Sequence, residues 1–227
     1  MKKIGMLIVL LTLLCGCATT PIYSNSYVIP EVRGMYAASV SVLNKEEKVI
    51  GAGTIIYNKR NKRMVVVTVA HVVRARYKKN PECTVKILYR KSDKRKMKVF
   101  KYDEYLDLAV LISTTKEVKD GPYVRLATTH GKIGDKVWVI GAPLGEKNTV
   151  TTGIISNRVE EKGKMLYRTN AEGFFGNSGG GMFNEKGELL GVSHIATFFR
   201  VNIFSVMAVP GGLYAISVET IREFFNK

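Results

Sequence analysis

The sequence predicts an all-β fold, and three observations carry that expectation. Short runs rich in Val, Ile and Thr fill most of the 227 residues, separated by turns containing Gly, Asn and Lys. Stretches with a helical period are nearly absent. At 46% hydrophobic and 24% charged residues, the chain has the apolar content of a globular protein. Its length suits one domain of ordinary size or a two-lobed β unit with a real core.

The chain begins with Lys2 and Lys3, an apolar run over residues 4–14, and Cys15-Gly16-Cys17. That run is too short and wrongly flanked for a spanning helix, and it reads as a secretion signal. Leu14-Cys15-Gly16-Cys17 resembles a bacterial lipobox, departing from it at Cys15, where a small residue is usual. The resemblance implies removal of residues 1–16 and a lipid on Cys17, hence a membrane-anchored protein of the cell envelope. In a diderm host, the lack of Asp just after Cys17 implies the outer membrane. A plain signal peptide and a secreted product are the alternative. Residues 17–33, rich in Ser, Thr, Asn and Pro, read as a tether, and residues 34–227 as the folded domain.

Strands are expected from Tyr36. Residues 37–43 alternate loosely, residues 44–48 turn, and residues 49–57 return as a hairpin partner. A basic turn follows, then a buried apolar strand from Met64 that ends on His71. Residues 90–98 read as a solvated hairpin. Asp107-Leu108-Ala109-Val110-Leu111 sets an acid just before a buried strand, where an unpaired carboxylate is costly. Residues 134–145 and 149–156 form a strand, a glycine-bounded corner and a returning strand. Residues 179–192 make a hairpin, and Ser217 caps a short last helix with Glu219 in its first turn and Ile221, Phe224 and Phe225 facing inward. The apolar stretch 198–207 is a long hairpin, a substrate loop or a membrane-facing patch.

The formal charge is +16, or +14 once Lys2 and Lys3 leave with a leader. It suits an anionic neighbour, but dispersed lysines serving plain solubility are the preferred reading, and no compact basic motif interleaved with aromatics marks a nucleic-acid site. Cys83 is the one cysteine outside the leader, so an internal disulfide is excluded from the folded domain. No ligand-spaced His/Cys cluster and no phosphate loop occur. Metal and cofactor are therefore expected to be none.

The chemistry centres on Gly176-Asn177-Ser178-Gly179-Gly180. A serine hydroxyl needs a base and an oxyanion site to attack a carbonyl. Glycines let the backbone turn sharply and present N–H groups where a side chain would block a substrate oxygen. Taken alone, the stretch is equally a glycine-rich turn. His71, one of three histidines, supplies the base, and Asp107 the carboxylate that holds one ring nitrogen protonated.

The Gly-Asn-Ser-Gly-Gly loop, the Thr68-Val69-Ala70-His71 strand end, the Asp107 run and the Gly141-Ala142-Pro143 corner together resemble the trypsin-like serine proteases of the Deg/HtrA type. The order His, Asp, Ser is also that of the trypsin-like fold. The resemblance implies two six-stranded antiparallel barrels meeting near residues 115–130, with a short C-terminal helix. It implies a catalytic triad of His71, Asp107 and Ser178, and an oxyanion hole from the N–H groups of Gly176 and Ser178. Glu172 would lie near the base of the pocket for the side chain preceding the scissile bond, or else point to solvent. Phe174 and Phe175 are the alternative filling of that pocket. Ser193, His194 and Ile195 would edge it and pair with substrate backbone as an added strand. Many members carry a C-terminal PDZ domain, for which residues 1–227 have no room.

The function expected is a serine endopeptidase acting on exported or misfolded proteins, its partners a protein or peptide substrate and the membrane. The competing reading is a catalytically silent or latent protease fold serving as a binding or chaperone module. A third is a basic protein binding an anionic polymer. Substrate preference and oligomeric state are not legible.

Overall fold

The computed structural model describes residues 28–44, 46–56, 63–79, 84–89, 93–115, 122–145, 148–202 and 205–227. The leader, Cys17 with most of the tether, Cys83 and most of the basic turn lie outside the described residues.

The chain folds into two closed antiparallel barrels of six strands each. The first holds β1 (Ser39–Leu43), β2 (Val49–Ile56), β3 (Val65–Val69), β4 (Thr84–Tyr89), β5 (Asp93–Asp103) and β6 (Leu108–Ser113), in the order β1-β2-β3-β6-β5-β4. The second holds β7 (Lys136–Gly141), β8 (Thr149–Glu161), β9 (Lys164–Thr169), β10 (Gly181–Phe183), β11 (Leu189–Asn202) and β12 (Ser205–Ser217), in the order β10-β11-β12-β9-β8-β7. Closure pairs the strands on both sides within each barrel, whereas among the described residues β11 beyond Ser193 pairs with β12 alone. β1 and β3 are buried along their whole length; β3 (Val-Val-Val-Thr-Val) is accordingly β-branched on both faces, while β1 alternates the small Ser39 and Ser41 with Val40 and Val42.

Two local expectations need correction. The first element is not a strand from Tyr36 but a helix, α1 (Pro30–Ala38). Pro30 stands in the first turn, where its fixed φ suits a helix and its missing N–H costs nothing. Val32, Met35 and Ala38, spaced one turn apart, enter the core. The folded part thus reaches back to Pro30, inside the segment expected as a tether. His71, for its part, does not close a strand. β3 stops at Val69, and a helix, α2 (Ala70–Tyr77), begins there.

Between the barrels, Val124 bridges to Ile56 of the first and Leu126 to Leu189 of the second. One core cluster joins them, including Val66, Leu111, Ile140, Phe183 and Phe224. The last helix, α3 (Val218–Asn226), is capped as expected by Ser217, whose side chain accepts the Thr220 N–H at 3.4 Å. Ile221 and Phe224 are buried and Phe225 is partly so. Of the stretch 198–207, residues 198–202 and 205–207 belong to the long β11–β12 hairpin, which stays paired out to Asn202 and Ser205; residues 203–204 lie outside the described residues. Among the described residues no helix is long and apolar enough to cross a membrane.

Candidate active site

The β3–β6 register builds the first half of the site. Thr68 pairs with Ala109 and Val69 with Leu108, so the next step out of the ladder sets Ala70 and His71 beside Asp107. The Ala70 N–H donates to the Asp107 carbonyl at 3.0 Å and continues the ladder. Asp107 ends a tight turn in which Asp103 Oδ1 accepts the Leu106 N–H at 2.9 Å, and its φ is +55°. Asp is among the few residues other than glycine that tolerate this left-handed conformation.

The carboxylate then takes both donors that His71 offers. The His71 backbone N–H donates to Oδ1 at 2.8 Å, and ring Nδ1 donates to Oδ2 at 2.7 Å. An ionised carboxylate only accepts, so His71 carries its proton on Nδ1 and leaves Nε2 free as a base. The same carboxylate supplies an acceptor and a negative charge to the N-terminus of α2, where N–H groups lack helical partners. The Asp107 side chain is 13% exposed and that of His71 37%, so the carboxylate is enclosed and the imidazole faces outward.

Asp107 has a third donor that sequence reasoning missed. His194 Nδ1 lies 2.8 Å from the same Oδ2. Burial alone pushes the Asp107 carboxyl up, but the hydrogen bonds from His194 and His71 outweigh it and hold the group well below the usual carboxylate range. His194, expected at the edge of the substrate pocket, sits at a bulge in β11, where Ser193 pairs with Ala215 and Ile195 with Tyr214, leaving His194 as the extra residue. A bulge re-aims a side chain without breaking the strand. Sequence spacing carries no sign of it.

The nucleophile loop docks on β2, the strand next to β3. The Ala52 N–H donates to the Ser178 carbonyl at 2.8 Å, and a Cβ on Gly179 would stand 2.2 Å from Ala52 O and Thr68 Oγ1. Ser178 is thereby fixed against the strand pair that ends in His71. Within the loop, the N–H groups of Asn177, Gly179 and Gly180 are used, donating to Phe174, Ser193 and Asn177 carbonyls at 3.1, 2.7 and 2.8 Å. Among the described residues, those of Gly176 and Ser178 have no acceptor in the chain. Gly176 has φ +100°, and a Cβ there would lie 2.2 Å from the Ala142 carbonyl oxygen. Only glycine fits.

The remaining pocket residues divide. Glu172 is exposed, and Phe174 and Phe175 are exposed beside it, so neither phenylalanine fills a pocket. Ile195 is exposed and accessible to a ligand. Ser193 is fully buried and its backbone is spent, donating to Gly180 O and accepting from Gly179 N, both at 2.7 Å. Ser193 is therefore a strut for the nucleophile loop, not a partner for added backbone. Donor atoms of His71, Asp107 and His194 lie within 4.8 Å of one another, a spacing a cation can use. The 2.7 and 2.8 Å separations are hydrogen-bond lengths, and Lys164 Nζ, 3.3 Å from His194 Nε2, opposes a second positive charge. The trio is a proton-sharing cluster.

Residues 51–192 match the trypsin-like peptidase domain family. The chain is 33% identical over 191 residues to the serine protease Do-like HtrA of Lactococcus lactis subsp. lactis, covering 78% of this chain and 44% of that protein. It is 29% identical over 188 residues to the serine protease HtrA-like protein of Staphylococcus haemolyticus, covering 77% and 27%. The crystal structure of the serine endoprotease from Yersinia pestis superposes with a TM-score of 0.67 at 25% identity, covering 89% of this chain and 65% of that one. The chain thus spans less than half the length of the curated relatives it matches. By the extent of the matched segment and by its two barrels, the chain belongs to the trypsin-like peptidase domain family.

Proposed function

We propose that the protein is a serine endopeptidase with His71, Asp107 and Ser178 as its triad. The observation that carries this reading is the His71–Asp107 pair, with Nδ1 held at 2.7 Å, beside a serine loop whose Gly176 and Ser178 N–H groups are free of intrachain acceptors. In the reaction, His71 Nε2 takes the Ser178 hydroxyl proton as Oγ attacks the peptide carbonyl. The two N–H groups hold the oxyanion, each worth a factor on the order of 10²–10³ in kcat. The imidazolium, stabilised by Asp107, gives its proton to the leaving amine, and water then hydrolyses the acyl-enzyme.

The substrates proposed are exported or misfolded proteins at the cell envelope, with the chain anchored by a lipid on Cys17. That part rests on the leader sequence. Replacing Cys17 with Ser should release the protein from membranes, and unchanged membrane fractionation overturns the anchor. The activity is tested by casein hydrolysis with the purified full chain beside Ser178→Ala. Turnover in the wild type alone supports the triad, and equal turnover in both removes it. Labelling of Ser178 by a phosphonofluoridate without casein turnover would favour a latent enzyme. Absence of labelling would favour a silent binding module.

A further inference from the structure

Asp107 serves two imidazoles through one oxygen, and the second is tied to a buried lysine. Lys164 begins β9, just after the tip of the β8–β9 hairpin. That tip lies against the turn carrying Asp107, since a Cβ on Gly163 would stand 3.5 Å from the Tyr105 hydroxyl. The lysine is 6% exposed, and among the described residues it has no carboxylate partner. Its ammonium lies 3.3 Å from His194 Nε2. A buried charge is costly unless something accepts its protons.

The donor inventory leaves one arrangement. An ammonium has only donors, so His194 Nε2 is bare and accepts from Lys164. A carboxylate has only acceptors, so His194 Nδ1 carries the proton and donates to Asp107 Oδ2. Lys164 thus donates to His194 and His194 to Asp107, while His71 donates to the same carboxylate oxygen from the other side, so the hydrogen bonds converge on Asp107. From these contacts we infer that His194, with its tautomer fixed by Lys164, is a positioning residue that shares Asp107 with His71 and sets how tightly the base holds its proton. The inference rests on the proposed role of His71 as the base.

The direction follows from electrostatics. The His194 donor and the Lys164 charge both stabilise the Asp107 carboxylate, leaving less of its negative charge to stabilise protonated His71. Removing either makes His71 keep a proton to higher pH, and the acidic limb of the pH–rate profile moves up. The other titratable groups around Asp107 are Tyr102 on β5, whose phenol is pushed up by burial and then by Glu104, with Arg74 and Tyr77 on α2 at the rim. None of them comes between His194 and the carboxylate, which are in direct contact.

The test uses the full chain labelled with nitrogen-15 histidine. Its three imidazoles, His71, His130 and His194, are assigned by single substitution. At neutral pH, His194 should show a protonated Nδ1 and a bare Nε2, and Lys164→Met should abolish that preference. His194→Phe should shift the His71 titration upward and lower kcat/KM about tenfold on the acidic side while preserving the alkaline plateau. His194→Asn, whose amide donates where Nδ1–H did, should restore the limb.

A His71 titration unmoved in His194→Phe overturns the inference. So does a change in side-chain preference for the substrate with the limb left in place, which would make His194 a pocket residue. The imidazole spectra need no turnover. A wild type that neither turns over nor labels, yet shows the expected His71 shift, would therefore sink the proposed activity separately, leaving only the effect of His194 on the His71 proton.

Discussion

Replacing Gly176 with alanine tests the proposed oxyanion hole most directly. Two costs can be read from the structure. The backbone at φ +100° disfavours an L side chain by about 1–2 kcal/mol. The new Cβ would also start 2.2 Å from Ala142 O and 3.2 Å from Leu144 N, so the loop and the corner must part by about 1 Å to reach ordinary contact. That movement strains the 2.7 Å hydrogen bond from Leu144 N to Phe175 O and swings the Gly176 N–H away from its ligand. Losing one donor lowers kcat by a factor on the order of 10²–10³, and a misplacement of this size costs a comparable factor. KM should change far less. The assay is kcat on a chromogenic peptide that the wild type cleaves, with phosphonofluoridate titration of active sites and urea midpoints for both proteins. Gly134→Ala is the control: its φ is +96°, yet nothing lies within 4 Å of its added Cβ. It carries the same backbone penalty away from the site, so it should lose stability and keep kcat. If Gly176→Ala loses no more kcat than Gly134→Ala, the loop does not form the hole.

Three further outcomes follow from the packing and the charges. Because the Asp107 carboxyl is held below its usual range, its contribution to stability is fully present above the unfolded value of 3.8 and is lost as pH falls through the lower native value. Urea melts should accordingly show wild type and Asp107→Asn converging as pH drops below about 4; a gap constant with pH contradicts the assignment. Tyr167 is buried in the second barrel, where its hydroxyl donates to Glu219 and accepts the Gly131 N–H at 3.0 Å. Tyr167→Phe leaves the Gly131 N–H without its acceptor and takes one of two donors from Glu219, which keeps Arg158 at 2.8 Å, and should cost about 1–3 kcal/mol at neutral pH, measured by the urea midpoint. Phe224→Ala opens a cavity in the core that joins the barrels and should cost about 3–5 kcal/mol, whereas exposed Phe100→Ala should stay within about 0.5 kcal/mol.

Much of this architecture was legible because β structure writes itself locally. Val65 to Val69 and Leu108 to Ser113 are short and apolar, and the loop at Ser178 is marked by its glycines. Short helices are harder. α1 shows its buried face only in Val32, Met35 and Ala38, and α2 hides behind β-branched residues that read as strand. Both form because tertiary burial and a distant carboxylate stabilise them, and neither source appears in local propensity.

The site divides along the same line. His71 and Asp107 are 36 residues apart, yet their meeting follows from one ladder, because Asp107 directly precedes β6 and His71 stands two residues past the end of β3 in the same pair. The position of His194 follows from a bulge, and that of Lys164 from the reach of a hairpin tip across to the other barrel; neither leaves a periodic trace. Ser193 shows the converse. Its place in the sequence suggested a substrate contact, but two 2.7 Å hydrogen bonds to the nucleophile loop make it scaffold. A residue's neighbours in sequence can name the chemistry of a site, but only register tells which groups share a proton. Here register puts a second imidazole and a buried cation behind the acid, and any account of the base's proton affinity that stops at three residues omits the donors that compete for it.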